Sequence, residues 1–275
     1  MRAKTQARIY RFAAYAGAFF SMFVLVLIVG YILIKGIPHL TPELFAWKYT
    51  SNNVSMLPSI INTFLMTLLS LLVCVPLGIG AAIYLTEYAK RGSKLVKLVR
   101  MTAETLSGIP SIIYGLFGSL FFVVALKMGL SLLSGALTLS IMVLPTIMRT
   151  TEEALLAVPD SYREGCFGLG AGRLRTTFRV VLPAAVPGIL SGVILAIGRI
   201  VGETAALIYT AGTVAKTPGS LRDSTRTLAV HMYAISTEGL YIDQSYATAV
   251  VLLVMVLFIN SLSTVIARKV GGKHA

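Results

Sequence analysis

The chain of 275 residues is 56% hydrophobic and 13% charged, with a mean hydropathy of +0.82 and a net charge of +13. Ordinary soluble domains carry about 25% charged residues, so this composition excludes that class and indicates an integral membrane protein. The positive charge does not indicate nucleic-acid binding, because the basic residues are distributed among several loops and do not form one basic patch.

Six stretches are long and apolar enough to cross a bilayer, which requires about 20 helical residues. They cover residues 12–34, 60–84, 101–126, 130–148, 180–210 and 247–267, and they predict an all-α protein with six transmembrane helices. The first stretch follows several basic residues, as a signal sequence does. Its 23 residues exceed the roughly 7–15 apolar residues of a signal peptide, so we expect it to be retained as a helix.

The basic residues predict the orientation of these helices. Sixteen of the 24 lysines and arginines lie before the first stretch, between the second and third, between the fourth and fifth, or after the sixth. The opposite loops hold only six, namely Lys35, Lys48, Lys127, Lys216, Arg222 and Arg226. Since cytoplasmic loops are enriched in basic residues, we expect both termini in the cytoplasm, as an even number of spans requires.

The chain divides into three predicted parts. Residues 1–55 comprise the cytoplasmic tail, the first span and an outward segment; residues 56–268 form a compact five-span domain; and residues 269–275 are a second tail. Within the last outward loop, residues 225–236 have apolar side chains at helical spacing and predict a short surface helix. Two interpretations of that helix stay open, a position at the membrane interface and a docking surface.

The sequence contains no pattern typical of an enzyme or of a metal site. Two cysteines, Cys74 and Cys166, and three scattered histidines provide neither a disulfide framework nor a metal-ligand spacing. The cytoplasmic glycines lack the Gly-Lys pair of a phosphate-binding P-loop, so we expect no nucleotide site in this chain. An enzyme acting on a phosphorylated lipid would need a nucleophile or a histidine, carboxylate or metal group at membrane depth, which the sequence does not provide.

The loop at about residues 158–179 and the start of the fifth span carry the most informative pattern. Its members are Glu164, Gly165, Cys166, Gly170, Leu182 and Pro183. This spacing resembles the E-A-A-x3-G-x9-I-x-L-P loop of type I ABC-importer permeases, with Gly165 and Cys166 in place of the two alanines. The resemblance implies the permease fold of that family and a short coupling helix that docks on a separate ATPase subunit. Arg163, Arg173 and Arg175 are expected to pair with carboxylates of that partner.

Longer stretches at residues 76–89, 106–118, 144–165 and 198–213 are similar to the PstA family of phosphate permeases. The resemblance extends from Pro58 onward and implies a permease in the plasma (inner) membrane of a bacterium or archaeon. The implied partners are a PstC-like permease, two copies of a PstB-like ATPase that bind ATP and Mg, and a PstS-like extracytoplasmic phosphate-binding protein. This chain would then bind no cofactor of its own.

Three alternatives stay open. PstC proteins share the R-x-x-G-E-T element at residues 199–204, so this chain could be the sister subunit. Permeases for phosphonate, sulfate or molybdate share the general fold. A secondary transporter is disfavoured, because six spans without an inverted repeat are unusual for that class.

Charged residues inside the apolar stretches are the candidate pathway residues. A charge at membrane depth costs at least about 2.5 kcal/mol and usually faces a cavity or a partner. The family resemblance associates Arg149 and Arg199 with the phosphate path. Glu203 is the third candidate pathway residue. Because helical residues four apart share a face, it is expected to pair with Arg199 when no substrate is present. Three roles for it stay open: to gate the path by guarding Arg199, to select protonated phosphate, or only to brace the helices. Arg149 is expected to be buried within the helix bundle.

Several polar residues are weaker candidates for hydrogen bonds to a passing anion, namely Asn62, Ser107, Ser111 and Thr204. Side chains of this kind also join helices to one another in membranes. Glu104 falls in the first turn of the third predicted span, where a carboxylate suits the helix dipole. We therefore expect Glu104 to have a structural role.

Overall fold

The computed structural model describes the backbone of residues 2–90 and 92–271 and the side chains of residues 10–90 and 92–265. Its helices are α1 Arg2–Gly36, α2 Leu57–Ile83, α3 Lys94–Ser107, α4 Ser111–Gly118, α5 Leu132–Leu156, α6 Asp160–Gly168, α7 Arg173–Thr176, α8 Leu182–Val201, α9 Ala205–Thr210, α10 Leu228–Thr237 and α11 Ile242–Gly271. Turns of π-helix follow α2 at Tyr84–Tyr88 and α4 at Ser119–Ala125, and another joins α7 to α8 at Thr177–Val181. Arg91 and residues 272–275 of the expected C-terminal tail lie outside the described residues.

Membrane spans account for most of these helices. Five continuous helical segments are long and apolar enough to cross a bilayer, at Tyr10–His39, Leu57–Tyr88, Leu132–Leu156, Arg173–Val201 and Ile242–Val265. A sixth span is formed when α3 and the segment Ser111–Ala125 are counted together. The prediction of an all-α protein with six spans is therefore confirmed, on the condition that one of the six is bent.

The bend in the third span corrects the predicted straight helix at residues 101–126. The helix begins earlier, at Lys94, and turns by 103° between Ser107 and Ser111. Proline disfavours helical geometry at the residue before it, and Pro110 itself adopts an extended backbone with ψ 141°. The phenol of Tyr114 donates a hydrogen bond of 2.7 Å to the Leu106 carbonyl and so links the two halves of the bend.

The fifth predicted span also ends earlier than expected. Helix α8 stops at Val201, and the chain leaves helical geometry at Thr204, with φ −124°, before α9 begins. Gly202 is the C-cap residue of α8, and its N–H makes the last helical hydrogen bond, to the Gly198 carbonyl. The stretch predicted as one span at residues 180–210 is therefore two helices with a break between them.

Helix α5 lies at the centre of the bundle, between α2 and α8. Its core positions, including Leu139, Met142 and Ile147, are fully buried. Helices α5 and α8 run antiparallel at close range, because Gly188 packs against Ala154 and Gly192 packs against Thr150. Glycine permits this approach since it has no side chain to separate the two backbones.

Helix α1 lies outside this core and packs along α11. Gly36 contacts the Tyr246 backbone, and the rings of Tyr31 and Tyr246 meet edge to face at 5.8 Å. Most of the described α1 side chains are exposed in the isolated chain, and their apolar character is suited to contact with lipid.

The loop between α9 and α11, predicted to lie on the outward side, is tied firmly to the bundle. The predicted short helix is present as α10, but only its second half reaches the surface, where Tyr233 is exposed; Leu228, Val230 and His231 are fully buried. Burial, together with the nearby Arg226 guanidinium, lowers the pKa of His231 to about 3, so this imidazole is neutral at physiological pH. The Arg226 guanidinium lies 4.7 Å from the ring centre of Tyr49, which connects the loop to the segment after α1.

Candidate functional site

An open cavity of about 530 Å³ lies between α3, α5 and α8 and is rich in charged side chains. Its charged lining residues are Arg100, Glu104, Arg149, Glu152, Glu153 and Arg199. Ser107, Thr146 and Thr150 add hydroxyl groups. Arg149 and Arg199, which were selected from the sequence as candidate pathway residues, therefore line the same space.

Arg149 projects from the second half of α5, which continues through Leu156 as expected. The prediction that Arg149 is buried in the bundle is wrong, since its side chain is 61% exposed. The reason is that its side of α5 faces the open cavity instead of the core. Its Nε donates a hydrogen bond of 3.0 Å to Oε1 of Glu153, one turn further along the same helix.

Arg199 lies deeper than Arg149 along the bundle. Because Gly192 packs against Thr150 in the antiparallel pair α5 and α8, Arg199 is about 9 Å further from the α6 end of the bundle than Arg149, at 1.5 Å per residue. Arg199 is half-buried near the end of α8. The two guanidinium groups thus enter the cavity at different depths.

Glu203 does not occupy the position predicted for it. Helix α8 ends at Val201, so the four-residue spacing from Arg199 no longer places the two side chains on one helix face. Among the described side chains, no ion pair joins Arg199 to Glu203. The buried Glu203 carboxylate instead accepts a hydrogen bond of 3.1 Å from the Ala206 N–H in the first turn of α9, and Glu203 is not among the residues that line the cavity.

Sequence reasoning missed three charged residues of this cavity, namely Arg100, Glu152 and Glu153. Arg100 was counted only among the cytoplasmic loop residues, because the third span was expected to begin at residue 101. It forms an ion pair with Glu152, whose side chain is 10% exposed. The four-residue spacing of Arg149 and Glu153 is a sequence signal that indicates the second pair.

The weaker polar candidates have different locations. Ser107 lines the cavity, and its hydroxyl donates a hydrogen bond of 2.7 Å to the Glu104 carbonyl. Ser111 begins α4 and Thr204 lies in the break after α8, and neither is among the lining residues. Asn62 is fully buried far from this cavity and donates its amide protons to the carbonyls of Lys216 and Arg226, at 2.9 Å and 3.1 Å. Its observed contacts fasten the loop between α9 and α11.

The prediction for Glu104 is also corrected. This residue lies in the last turn of α3, where the helix dipole disfavours a carboxylate. It lines the cavity together with Arg149 and Arg199. Glu104 therefore belongs to the charged lining and does not serve to stabilise a helix start.

The loop between α5 and α8, which carries the E-A-A-like pattern, folds into a short helix and a turn. Helix α6 contains Glu164, Gly165 and Cys166, and Gly170 follows with φ +76°, as its expected left-handed conformation requires. Leu182 begins α8 and Pro183 follows it, directly after the π-helical turn Thr177–Val181. Apolar side chains around the turn are strongly exposed, with Leu169 at 91% and Leu174 at 66%.

Arg163 makes contacts within the chain that the sequence did not predict. Its Nη2 donates a hydrogen bond of 2.7 Å to Oε1 of Glu87, which follows α2, and another of 2.9 Å to the Leu155 carbonyl. Its Nη1 donates a hydrogen bond of 2.8 Å to the Val158 carbonyl. Arg163 is therefore held by Glu87 of its own chain in this structure, and its pairing with a partner's carboxylate stays a prediction. The hydrogen bonds to Glu87 raise the pKa of the Arg163 guanidinium.

A second cavity, of about 680 Å³, lies beside this ion pair at the α6 end of the bundle. Arg163 and Glu87 line one part of it, and Lys90 and Arg173 contribute further positive charge. Arg100 and Leu156 line both cavities, so the two spaces are neighbours. Within the described residues, no group of three or more His, Cys, Asp or Glu side chains is arranged to bind a metal ion.

Comparisons with known proteins agree with this architecture. The family model described as "Binding-protein-dependent transport system inner membrane component" matches residues 74–272. The "Probable ABC transporter permease protein YqgI" of Bacillus subtilis is 32% identical over 255 residues, covering 86% of each chain. The phosphate transport system permease protein PstA of Yersinia pestis is 33% identical over 259 residues, which cover 91% of this chain and 86% of that protein. PstC of Mesorhizobium japonicum is 33% identical over 251 residues, with coverages of 82% and 74%.

Solved structures show the same fold at lower sequence identity. A chain of a bacterial alginate ABC transporter in complex with its periplasmic protein superimposes with a TM-score of 0.68 at 17% identity and covers 96% of both chains. A chain of the inward-facing MetNI methionine ABC transporter gives a TM-score of 0.61 at 20% identity and covers 88% of this chain and 97% of that chain. These are type I ABC importers, and their permease fold is the fold of the present chain.

Proposed function

Because the chain belongs to the family of inner membrane components of binding-protein-dependent transport systems, we propose that it is the PstA-type permease subunit of an ATP-driven importer of inorganic phosphate. It is a transmembrane permease subunit of an ABC importer. The proposal adds the cargo, the partners and the orientation. The main observation in support of phosphate as the cargo is that Arg149 and Arg199 line the same cavity at successive depths.

The chemistry of these two arginines suits phosphate. A guanidinium stays charged at any working pH and binds phosphate oxygens through two parallel hydrogen bonds. Two such groups, separated by about 9 Å along the bundle, lower the electrostatic barrier for an anion without forming one tight site. The Glu153 carboxylate occupies Arg149 in the absence of an anion, and a phosphate oxygen would replace it during passage.

The partners are proposed from the exposed surfaces and from the names of the relatives. Helix α6 and its turn, with Glu164, Cys166 and the exposed Leu169, would dock on one of two PstB-like ATPase subunits, where ATP and Mg bind. A PstC-like permease would supply the other half of the anion pathway, and a PstS-like protein would deliver phosphate from outside. In this arrangement both termini and α6 are cytoplasmic, in the plasma membrane of a bacterium or archaeon.

The sister role is the second candidate, because the PstC protein of Mesorhizobium japonicum and the PstA protein of Yersinia pestis are each 33% identical to this chain. Co-purification from the native membrane separates the two roles. Recovery of an ATPase and a second permease similar to PstC supports the PstA-type role. A co-purified permease similar to PstA would reverse the assignment.

The cargo is tested by reconstituting the complete complex in proteoliposomes and measuring uptake of radiolabelled inorganic phosphate with ATP present. We expect uptake that depends on ATP and that unlabelled phosphate inhibits. Sulfate, molybdate or methylphosphonate at the same concentration should leave the uptake rate within about twofold of the rate without competitor. Inhibition by sulfate equal to that by phosphate contradicts the phosphate assignment. Uptake that persists without ATP and depends on a proton gradient would indicate a secondary transporter instead.

Glu203 gives a prediction that separates a bracing role from a selecting role. The side-chain oxygen of glutamine can accept the Ala206 N–H as the carboxylate does, so Glu203→Gln should keep phosphate uptake within about twofold of the wild type. Glu203→Ala loses this capping hydrogen bond, at a cost of about 1 kcal/mol, and should lower the thermal stability of the complex. Loss of uptake in a stable, fully assembled Glu203→Gln complex would restore the selecting role for the charge.

A further inference from the structure

Arg100 stands where the two charged cavities meet. It lines the cavity of about 530 Å³ with Arg149 and Arg199, and it also lines the cavity of about 680 Å³ beside α6. In the proposed orientation the second cavity opens toward the cytoplasm. The side chain of Arg100 is 49% exposed, so it is accessible from these spaces.

The partner of Arg100 is a carboxylate of the core helix. Glu152 projects from α5 and forms an ion pair with the Arg100 guanidinium across the interface between α3 and α5. Its side chain is only 10% exposed. The opposite charges therefore hold the two helices together at the point where one cavity gives way to the other.

The three arginines follow one another in depth. Arg199 is furthest from the α6 end of the bundle, and Arg149 lies about 9 Å nearer to it. Arg100 is level with Glu152, which is three residues beyond Arg149 on α5 and hence about 4.5 Å nearer still. A succession of positive groups at such spacings allows an anion to pass from one to the next.

We propose that Arg100 is a third anion-pathway residue and that its ion pair with Glu152 is the cytoplasmic gate between the two cavities. The inference rests on the proposed function, because it assumes that an anion moves from Arg199 toward the cytoplasm. An arriving phosphate competes with the Glu152 carboxylate for the Arg100 guanidinium and opens the ion pair. The pair forms again once the anion has left for the cytoplasmic cavity, where Lys90 and Arg173 add positive charge.

Helix α3 is suited to such a gate by its geometry. It turns by 103° from Ser111–Ala125, the other half of the same bent span, so it can tilt about the bend at Gly108 and Pro110 while that half stays in place. A tilt of α3 away from α5 separates Arg100 from Glu152. The gate is thus formed by one central helix and one helix at the edge of the bundle.

The first test of the proposal uses Arg100→Gln in the complete reconstituted complex, with radiolabelled inorganic phosphate as the probe. Lys97→Gln is the matched control, since Lys97 is an exposed basic residue of α3 that is not among the lining residues of either cavity. We expect Arg100→Gln to lower ATP-driven uptake at least tenfold, and Lys97→Gln to stay within twofold of the wild type. Normal uptake by an assembled Arg100→Gln complex overturns the pathway role.

The double variant Arg100→Gln/Glu152→Gln distinguishes a pathway residue from a structural ion pair. If Arg100 acts only as the counter-ion of Glu152, neutralising both residues should restore uptake. If Arg100 binds the passing anion, uptake stays at least tenfold low in the double variant. Restored uptake therefore overturns the pathway role even where Arg100→Gln alone assembles poorly.

The gate itself is tested with Glu152→Gln. Vesicles that contain the variant complex, with its ATPase side facing inward, are loaded with radiolabelled phosphate in the absence of ATP. They should release phosphate at least fivefold faster than vesicles that contain the wild-type complex. A release rate equal to that of the wild type overturns the gate. If the wild-type complex itself imports no phosphate, it is the proposed function that fails, so the two failures are distinguishable.

Discussion

Replacing Arg199 by alanine is expected to lower ATP-driven phosphate uptake by about 10- to 100-fold while the complex still assembles. A hydrogen bond to a charged group contributes about 1.5–3 kcal/mol, and each 1.4 kcal/mol corresponds to a factor of ten. Arg199 lines the charged cavity at its greatest depth and makes no ion pair with Glu203, so its charge is available to an anion. The measurement is uptake of radiolabelled phosphate into proteoliposomes, with assembly checked by co-purification.

A second variant and a control define what this result means. Arg149→Ala should cause a loss of similar size, because the same cavity receives both guanidinium groups. Arg222→Ala removes an exposed arginine of the loop between α9 and α11 that is not among the cavity residues, and it should change uptake by less than twofold. Full activity in well-assembled Arg199→Ala complexes would remove Arg199 from the pathway.

The sequence predicted the helical class and most of the span positions, because hydropathy over about 20 residues is a strong signal. It did not predict the bend at Gly108 and Pro110 or the break at Gly202. In a membrane helix, glycine and proline are compatible with a straight packed helix, a kink or a break. Which of these occurs depends on contacts with neighbouring helices, and local sequence patterns do not reveal those contacts.

The same breaks explain the errors at the candidate site. The pairing of Arg199 with Glu203 assumed a continuous helix through residue 203, and the helix ends at Val201. Arg100 and Glu152 are separated by 52 positions in the chain, so no local periodicity predicts their contact. Arg149 and Arg199 could be selected from the sequence because a charge within an apolar stretch has a free-energy cost in the membrane whichever way its side chain points. The sequence therefore indicated the residues whose charge is costly to place in a membrane. It did not predict which residues pair, because pairing depends on contacts between helices.

Arg163→Ala is expected to have the second large effect. It should lower both the stability of the complex and the coupling of this chain to ATP hydrolysis by the proposed ATPase. The Arg163 side chain is 14% exposed and the Glu87 side chain 8%. Removing one partner of a buried ion pair costs about 3–5 kcal/mol, because the other charge remains without compensation. Arg163 also donates hydrogen bonds to the Leu155 and Val158 carbonyls at the end of α5. Its loss should loosen α6 from both α2 and α5.

The expected result is a fall in the thermal unfolding midpoint of the purified complex and a loss of ATP hydrolysis stimulated by the binding protein. For a chain of this size, a change of 1 kcal/mol in the free energy of unfolding shifts the unfolding midpoint by about 2–4 °C. The shift is therefore measurable even if the loss of stability is half the stated value. Arg163→Lys keeps the charge but cannot reproduce the forked hydrogen bonds, and it should be intermediate. Arg179→Ala, an exposed arginine beyond α7, is the control and should leave the midpoint unchanged.

Glu87→Gln/Arg163→Met separates the two consequences, since removing both charges of a buried pair is often neutral for stability. We expect the double variant to regain most of the thermal midpoint, because no buried unpaired charge remains between α6 and α2. Asp160, which also pairs with Arg163, is 65% exposed and stays solvated. It should not regain stimulated ATP hydrolysis, because the hydrogen bonds that hold α6 on the ends of α2 and α5 are still missing. Recovery of both properties would mean that Arg163 stabilises the fold without a part in coupling. A midpoint in Arg163→Ala equal to that of the wild type would contradict the ion pair as a stabilising contact.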